Sequence, residues 1–238
     1  MDNLILGYGL LGKELVTQTG WSYKSKENGF DLITSNLEEE IIEYIDLKHA
    51  GRVGYTLPRV IINCIANTDT YSDDKQPHWD VNYYGVSRLV DFCNKFKIKL
   101  VHISTDYIYA NSNNMASEDD VPVHCNTWYG YTKLLADGYV QLKSNDYLII
   151  RGTHKPKPFP HNKAWVDQFG NFDYVDKMAE VMIKLINKKC SGIYNVGGEI
   201  KSMYTMALKT KKDVKPELKP VEVPSNTTID LTKLNKEL

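Results

Sequence analysis

Tyr129-Gly130-Tyr131-Thr132-Lys133 sets a phenol and an amine four residues apart, the spacing that brings two side chains onto one face of a helix. A free phenol titrates near pH ~10, so a tyrosine that exchanges protons near neutrality needs positive charge beside it. Lys133 is spaced to supply it. Upstream, Ser104-Thr105-Asp106-Tyr107 follows the apolar run Leu100 to Ile103. That places Thr105 at the carboxyl edge of a strand, where doubly wound sheets gather their ligands. Thr105, Tyr129 and Lys133 together predict carbonyl reduction, in which Thr105 polarises the oxygen, Tyr129 protonates it and a nicotinamide gives hydride. A Tyr/Lys pair alone is common by chance on exposed helices. The three features in this order are far less common.

A second constellation opens the chain. Gly7-Tyr8-Gly9-Leu10-Leu11-Gly12 is a Gly-x-Gly-x-x-Gly between a short apolar run and a helical sequence. The first glycine serves the tight turn, the second admits a pyrophosphate to the backbone, and the third lets helix and strand pack closely. The helix N-terminus then faces the negative charge. After the expected second strand, Trp21 to Tyr23, come Lys24-Ser25-Lys26 and then Glu27. Lys24, Ser25 and Lys26 suit the 2′-phosphate of NADP, so NADP is favoured over NAD, although Glu27 suits a ribose hydroxyl and the lysines also read as solvated strand ends.

The elements that must position these groups alternate. Short Val/Ile/Leu-rich runs at Leu4 to Leu6, Val60 to Ala66, Leu100 to Ser104, Tyr147 to Ile150 and Ile193 to Val196 read as buried parallel strands. Between them Leu10 to Thr19, Leu37 to Leu47, Val81 to Phe96, Tyr129 to Leu142 and Val175 to Ile186 read as amphipathic helices. The expected fold is α/β, a Rossmann-type doubly wound parallel sheet with a small, shortened C-terminal substrate lobe. Its cofactor domain spans residues 1–153 with contributions from 173–198. Residues 154–172, rich in proline and aromatics, and the lysine-rich 199–238 form the lobe, the latter as a solvated connection.

At 238 residues with net charge −1 and 25% charged residues, the chain is an ordinary globular one with nothing to recommend nucleic acid as a partner. The run ending at Gly7 is too short for a signal peptide or spanning helix, which implies a cytoplasmic protein without membrane association. Cys64, Cys93, Cys125 and Cys190 are scattered, with no metal spacing, so reduced thiols and no bound metal are expected. His102, inside an apolar run, reads as a satisfied core histidine. Asn226-Thr227-Thr228, formally a glycosylation acceptor, reads as structural.

The sequence resembles the extended short-chain dehydrogenase/reductases, and among them the dTDP-4-dehydrorhamnose reductases. The likeness rests on Ile62-Asn63-Cys64-Ile65-Ala66-Asn67-Thr68, on Val101-His102-Ile103-Ser104-Thr105-Asp106-Tyr107-Ile108-Tyr109, and on Glu118-Asp119-Asp120-Val121-Pro122 ahead of Tyr129. Leu148-Ile149-Ile150-Arg151, Asp167-Gln168-Phe169-Gly170, Tyr174-Val175-Asp176 and Gly192-Ile193-Tyr194-Asn195-Val196 extend it over most of the chain. It implies a catalytic group of Thr105, Tyr129 and Lys133 supported by Asn82, an adenine contact at Asp31 and Leu32, and a cofactor-flanking loop of Ile65, Ala66, Asn67 and Thr68. It further implies reduction of the 4-keto group of a nucleotide-linked 6-deoxyhexulose, and a possible homodimer through the helices Val81 to Phe96 and Tyr129 to Leu142. Apolar faces there are equally explained by packing on the sheet.

Three departures from that family stand in the chain. The glycine loop is one residue tighter than its usual Gly-x-x-Gly-x-x-Gly, Arg151-Gly152-Thr153-His154 replaces an Arg-Thr-Ser followed by an aromatic, and the path from His154 to Asp167 is short. A smaller carbonyl substrate, or a non-catalytic NADP-binding regulatory or scaffold protein, are the alternatives. Prior epimerisation would need a second acid/base pair; Cys64 reads as a buried inert thiol, and Cys125 is the weaker candidate left for it.

Overall fold

The computed structural model describes residues 3–48, 57–110, 112, 114–120, 122 and 126–238, with only the backbone described over 43–48. Cys125 and Val121 lie outside the described residues.

Six parallel strands form the central sheet, in the spatial order Gly192–Asn195, Tyr147–Arg151, Lys99–Ile103, Val60–Asn63, Leu4–Leu6 and Ser22–Lys24. The chain starts in the interior, runs out to Ser22–Lys24, then crosses back to Val60–Asn63 on the other side of the first strand. Strand order therefore reverses between Leu4–Leu6 and Val60–Asn63, the switch point where such sheets open a crevice. Buried on both faces, the first strand is apolar at every position: Leu4 and Leu6 pack into one core, Ile5 into the other. Helices Leu37–Lys48, Gly85–Phe96 and Trp128–Lys143 cover the first face; Leu10–Thr19 and Val175–Asn187 cover the second.

The helix expected from Val81 begins earlier, at Lys75, where Asp74 accepts from the Gln76 amide at 3.2 Å. Its middle, Trp79–Tyr84, is π-helical and joins Gly85–Phe96 without a break. Wider turns of this kind mark functional positions, and this one carries Asn82.

Beyond the sheet the chain is built of very short strands. His154–Lys155 pairs with Asp173–Tyr174, Lys163–Trp165 with Lys215–Glu217, and Phe169–Gly170 with both Lys201–Ser202 and Asn226–Thr227. Phe159, Phe172, Tyr174, Met203, Met206 and Val214 close a small core between them. The lysine-rich segment is thus not merely a connection, since Lys215–Glu217 is a paired strand, although Lys212 and Lys215 are exposed. The final helix, Thr232–Glu237, leaves this lobe and packs Leu234 into the second core of the main sheet. Among the described residues no helix is long and apolar enough to cross a membrane.

Candidate active site

At the switch point the glycine loop meets the requirements of each position. Gly7 stands at φ +98, a left-handed conformation, and a Cβ there would come within 2.9 Å of Ile65. A Cβ on Gly12 would lie 2.0 Å from the Gly7 carbonyl oxygen, so the helix packs against the turn only because the side chain is missing. At Gly9 a Cβ would meet nothing within 4 Å, and no side chain caps the helix that begins at Leu10. Open space before an uncapped helix N-terminus fits a cofactor pyrophosphate. Leu11 is buried in the core, leaving its backbone to a ligand, whereas Leu10 is exposed. Tyr8 stacks on Tyr23 with ring centroids 3.9 Å apart.

The flanking loops are pinned from behind. Asn63 accepts from the Ile65 amide at 3.1 Å, and Asn82, fully buried, accepts from the Asn67 amide at 2.8 Å and donates to its carbonyl at 3.1 Å. Asn82 thereby shapes the Ile65, Ala66, Asn67 and Thr68 loop from below. A second loop, Asp31 to Ser35, is clamped by Arg88, which donates to the carbonyls of Leu32 at 2.6 Å and Ser35 at 2.8 Å. Asp31 accepts from the Ile33 amide at 2.8 Å and pairs with Lys26 at 2.9 Å, contacts that hold its carboxyl below the usual range. Leu32 is a core residue packed against Gly85, with only backbone to offer an adenine.

Lys24 is paired within the fold. Its ammonium lies 2.7 Å from Glu40, on the helix Leu37–Lys48. Of the other two residues expected at the ribose, Ser25 is bound through its amide to Asn28 at 2.7 Å and Lys26 is exposed.

Thr105, Tyr129 and Lys133 come together on the wall of one cavity of about 920 Å³ that also takes in Gly9, Leu10, Leu11, Ala66 and Thr68. Lys133, 1% exposed, donates to the Ile103 carbonyl at 2.6 Å. Burial pulls its amine down to about 8, against the opposing charge of Asp137 one turn along the helix. Tyr129 is pushed up to about 12 by burial, with a hydrogen bond from Thr105 working the other way. The phenol is therefore protonated near neutrality, the form a general acid needs. Thr105 Oγ1 accepts from the Tyr107 amide at 3.2 Å and lies 3.4 Å from Asp106 Oδ1. Asp106 is buried, accepts from Thr153, and has its carboxyl raised by burial.

Two expectations about neighbouring residues change. Cys64 falls just beyond its strand rather than inside it and lines the cavity, its thiol pushed up to about 12 by burial. His102 is fully buried, but neither ring nitrogen has a hydrogen-bond partner; Asp137 Oδ1 stands 3.8 Å away. Burial holds the imidazole well below its usual range, hence neutral.

Sequence reasoning missed Asn63 and Arg88 as supports of the cofactor loops. It also missed the hydroxyl contact between Tyr71 and Tyr107 at 2.9 Å at the cavity, reached by Gln168 Nε2 at 3.4 Å. Asp137 was legible: it follows Lys133 by four residues, on the same helical face. It is fully buried and bound to Arg151 Nε at 2.8 Å.

Comparison with known proteins decides the family. A family model described as the RmlD substrate binding domain matches residues 1–154. The chain belongs to this RmlD family. It is 26% identical over 218 residues to the spore coat polysaccharide biosynthesis protein SpsK of Bacillus subtilis, covering 84% of this chain and 74% of that protein. Among solved structures, a dTDP-4-dehydrorhamnose reductase of Bacillus anthracis in complex with NADP superposes with a TM-score of 0.81 at 20% identity, covering 99% and 93% of the two chains. MoeE5 in complex with UDP-glucuronic acid and NAD gives 0.79 at 16%, covering 100% and 92%. At these identities the structural likeness speaks for the fold.

Within the RmlD framework, this chain's departure at Arg151-Gly152-Thr153-His154 has a local cause. A Cβ on Gly152 would lie 2.1 Å from the Val196 carbonyl, so the strand end and the Gly192–Asn195 edge approach more closely than any side chain would allow. The chain then turns Thr153, His154 and Lys155 into the cavity wall.

Proposed function

We propose that this protein reduces the 4-keto group of a nucleotide-linked hexulose with a nicotinamide cofactor, NADPH in preference to NADH. The observation that carries the reading is the convergence of Thr105, Tyr129 and Lys133 on a cavity that runs from the glycine loop to the lobe. The cofactor, held by Gly7 to Gly12, the Ala66 to Thr68 loop and the backbone at Asp31 and Leu32, supplies the hydride. Tyr129 gives its proton to the carbonyl oxygen, and the ammonium of Lys133 favours the phenolate left behind. Thr105 fixes the phenol and lies beside the same oxygen. The preference for NADPH rests on Ser25 and Lys26 at the end of the second strand.

The polysaccharide-synthesis role of SpsK, the NADP of the Bacillus anthracis reductase and the UDP-glucuronic acid and NAD of MoeE5 support a nucleotide sugar and a nicotinamide. The decisive assay follows NADPH oxidation with dTDP-, UDP- and GDP-linked 4-keto hexoses that carry either a methyl or a carboxylate on C5. Turnover of at least one is expected. Bound NADPH with no turnover of any overturns the reading in favour of a non-catalytic role. Pairing of two copies through Trp79, Tyr83, Tyr84 and Tyr131, whose rings touch across the helices over the first sheet face, belongs to the same proposal. Sedimentation velocity measures it: a monomer at high concentration removes it.

A further inference from the structure

Three lysines line the cavity, and their ammonium groups are differently engaged. Lys133 donates to the Ile103 carbonyl, and Lys163 pairs with Glu217. Lys155 has neither a hydrogen-bond nor an ion-pair partner among the described residues. Its strand, His154–Lys155, is fixed to Asp173–Tyr174, so the side chain is set into the wall by the backbone. The surroundings are close: burial lowers the amine, and the charge with which it interacts is that of Asp106, the buried neighbour of Thr105. Asp106 in turn accepts from Thr153 and Thr105 through Oδ1. Lys155 is thus one side chain removed from the hydroxyl that faces the reacting carbonyl.

Lys155 is half-buried on the cavity wall with no ion-pair partner among the described residues, and a cation placed so is completed by an anionic group of a ligand. The ligand must bring negative charge or strong acceptors to the sugar end of the cavity, since Lys155 sits by Thr105 and Asp106. From this we propose that Lys155 is a specificity-determining residue that binds a carboxylate carried on the sugar ring of the substrate. This inference rests on the nucleotide-sugar reading above and departs from the neutral 6-deoxy sugar that the sequence likeness implies. The physical reason for the departure is local. At this end of the cavity the wall presents Thr153, His154 and Lys155. His154 is itself held neutral, its imidazole lowered to about 4 by burial and by Lys155. The wall therefore carries one unspent positive charge rather than two.

Binding, not turnover, tests this. Calorimetry in the presence of NADP⁺ compares UDP-glucuronate with UDP-glucose, and dTDP-glucuronate with dTDP-glucose. The expected result is that the acid of at least one pair binds about tenfold tighter or more, the gain of one desolvated charge-assisted contact. Lys155→Met then brings acid and neutral sugar within about twofold, and Lys155→Arg keeps most of the preference. Retained NADPH affinity in both variants shows that the fold is intact. Equal affinity of acid and neutral sugar in the native protein overturns the inference and leaves the reductase reading standing. A loss in Lys155→Met shared equally by both sugars and by free UDP or dTDP also overturns it, because the diphosphate is then the anion bound. If none of the four conjugates binds while NADPH does, the nucleotide-sugar reading itself fails, and this inference with it.

Discussion

On the cofactor side of the cavity nearly every position is set by backbone geometry: Gly7 by its positive φ, Gly12 by the carbonyl that a Cβ would strike, Asn67 by two hydrogen bonds to Asn82. On the lobe side the wall is assembled from strands of two and three residues, paired with partners up to the far end of the chain. The first wall tolerates little change and binds a constant group. The second is held by few contacts per element and can be rewritten without disturbing the sheet, which is where a family varies what it recognises. Thr105, Tyr129 and Lys133 belong to the first wall and face the second.

The largest effect should come from the seam between them. Tyr129→Phe removes the proton donor while leaving its packing, so kcat should fall roughly 10²- to 10⁴-fold, the usual worth of general acid catalysis, with NADPH affinity within about threefold. Unchanged turnover would mean that the acid lies on the lobe wall instead. The same seam sets a pH dependence. Lys133, with its amine lowered to about 8, is charged below that pH and loses its charge above it. Reduction should therefore hold level on the acid side and decline toward a tenfold loss per pH unit on the alkaline side. Stability runs oppositely, because a lysine whose folded pKa lies below its unfolded value destabilises the fold while charged in both states, a penalty relieved as pH rises from about 8 toward the unfolded value of ~10.4. Rate–pH profiles of native protein and Lys133→Arg distinguish these: the alkaline limb should vanish in the arginine variant.

The comparison also predicts where a single methyl group matters. Gly12→Ala forces the first helix off the turn and should cost about 1–3 kcal/mol of stability, with cofactor affinity lowered roughly tenfold or more. Asn82→Ala strands the Asn67 amide and carbonyl, an expected loss of about 1–3 kcal/mol in urea unfolding with a weaker cofactor complex. A silent Asn82 variant would show that the Ile65 to Thr68 loop holds its shape unaided.

What could be read from sequence divides along the same line. The strand Leu4–Leu6 and the helix Leu10–Thr19 were legible to the residue, because a strand buried on both faces is apolar throughout and a glycine loop marks the junction. That Thr105, Tyr129 and Lys133 share one cavity was legible from spacing and order. The pairing of Lys24 was not legible, because a sequence shows that a cation follows a strand but not that Glu40, sixteen residues on, stands within reach of it. The helix start at Lys75 was lost because Pro77 reads as a breaker, yet a proline is tolerated in a first turn. The lobe was unreadable for a different reason: strands such as Phe169–Gly170 and Asn226–Thr227 are too short for any periodicity, and they exist only through partners some sixty residues away.

Cofactor choice is the smallest effect expected, and the two lysines at the end of the second strand make it a sharp one. Lys24 is buried against Glu40, so Lys24→Met should alter stability while leaving the NADPH/NADH ratio of kcat/KM within about twofold. Lys26 is exposed beside Asp31, and its charge is free to exchange that carboxylate for a phosphate. Lys26→Met should lower the ratio roughly two- to fivefold, the worth of one solvent-screened pair. If instead Lys24→Met moves the ratio and Lys26→Met does not, the Glu40 pair opens when cofactor binds, and the cofactor wall is less rigid than its glycines and asparagines make it.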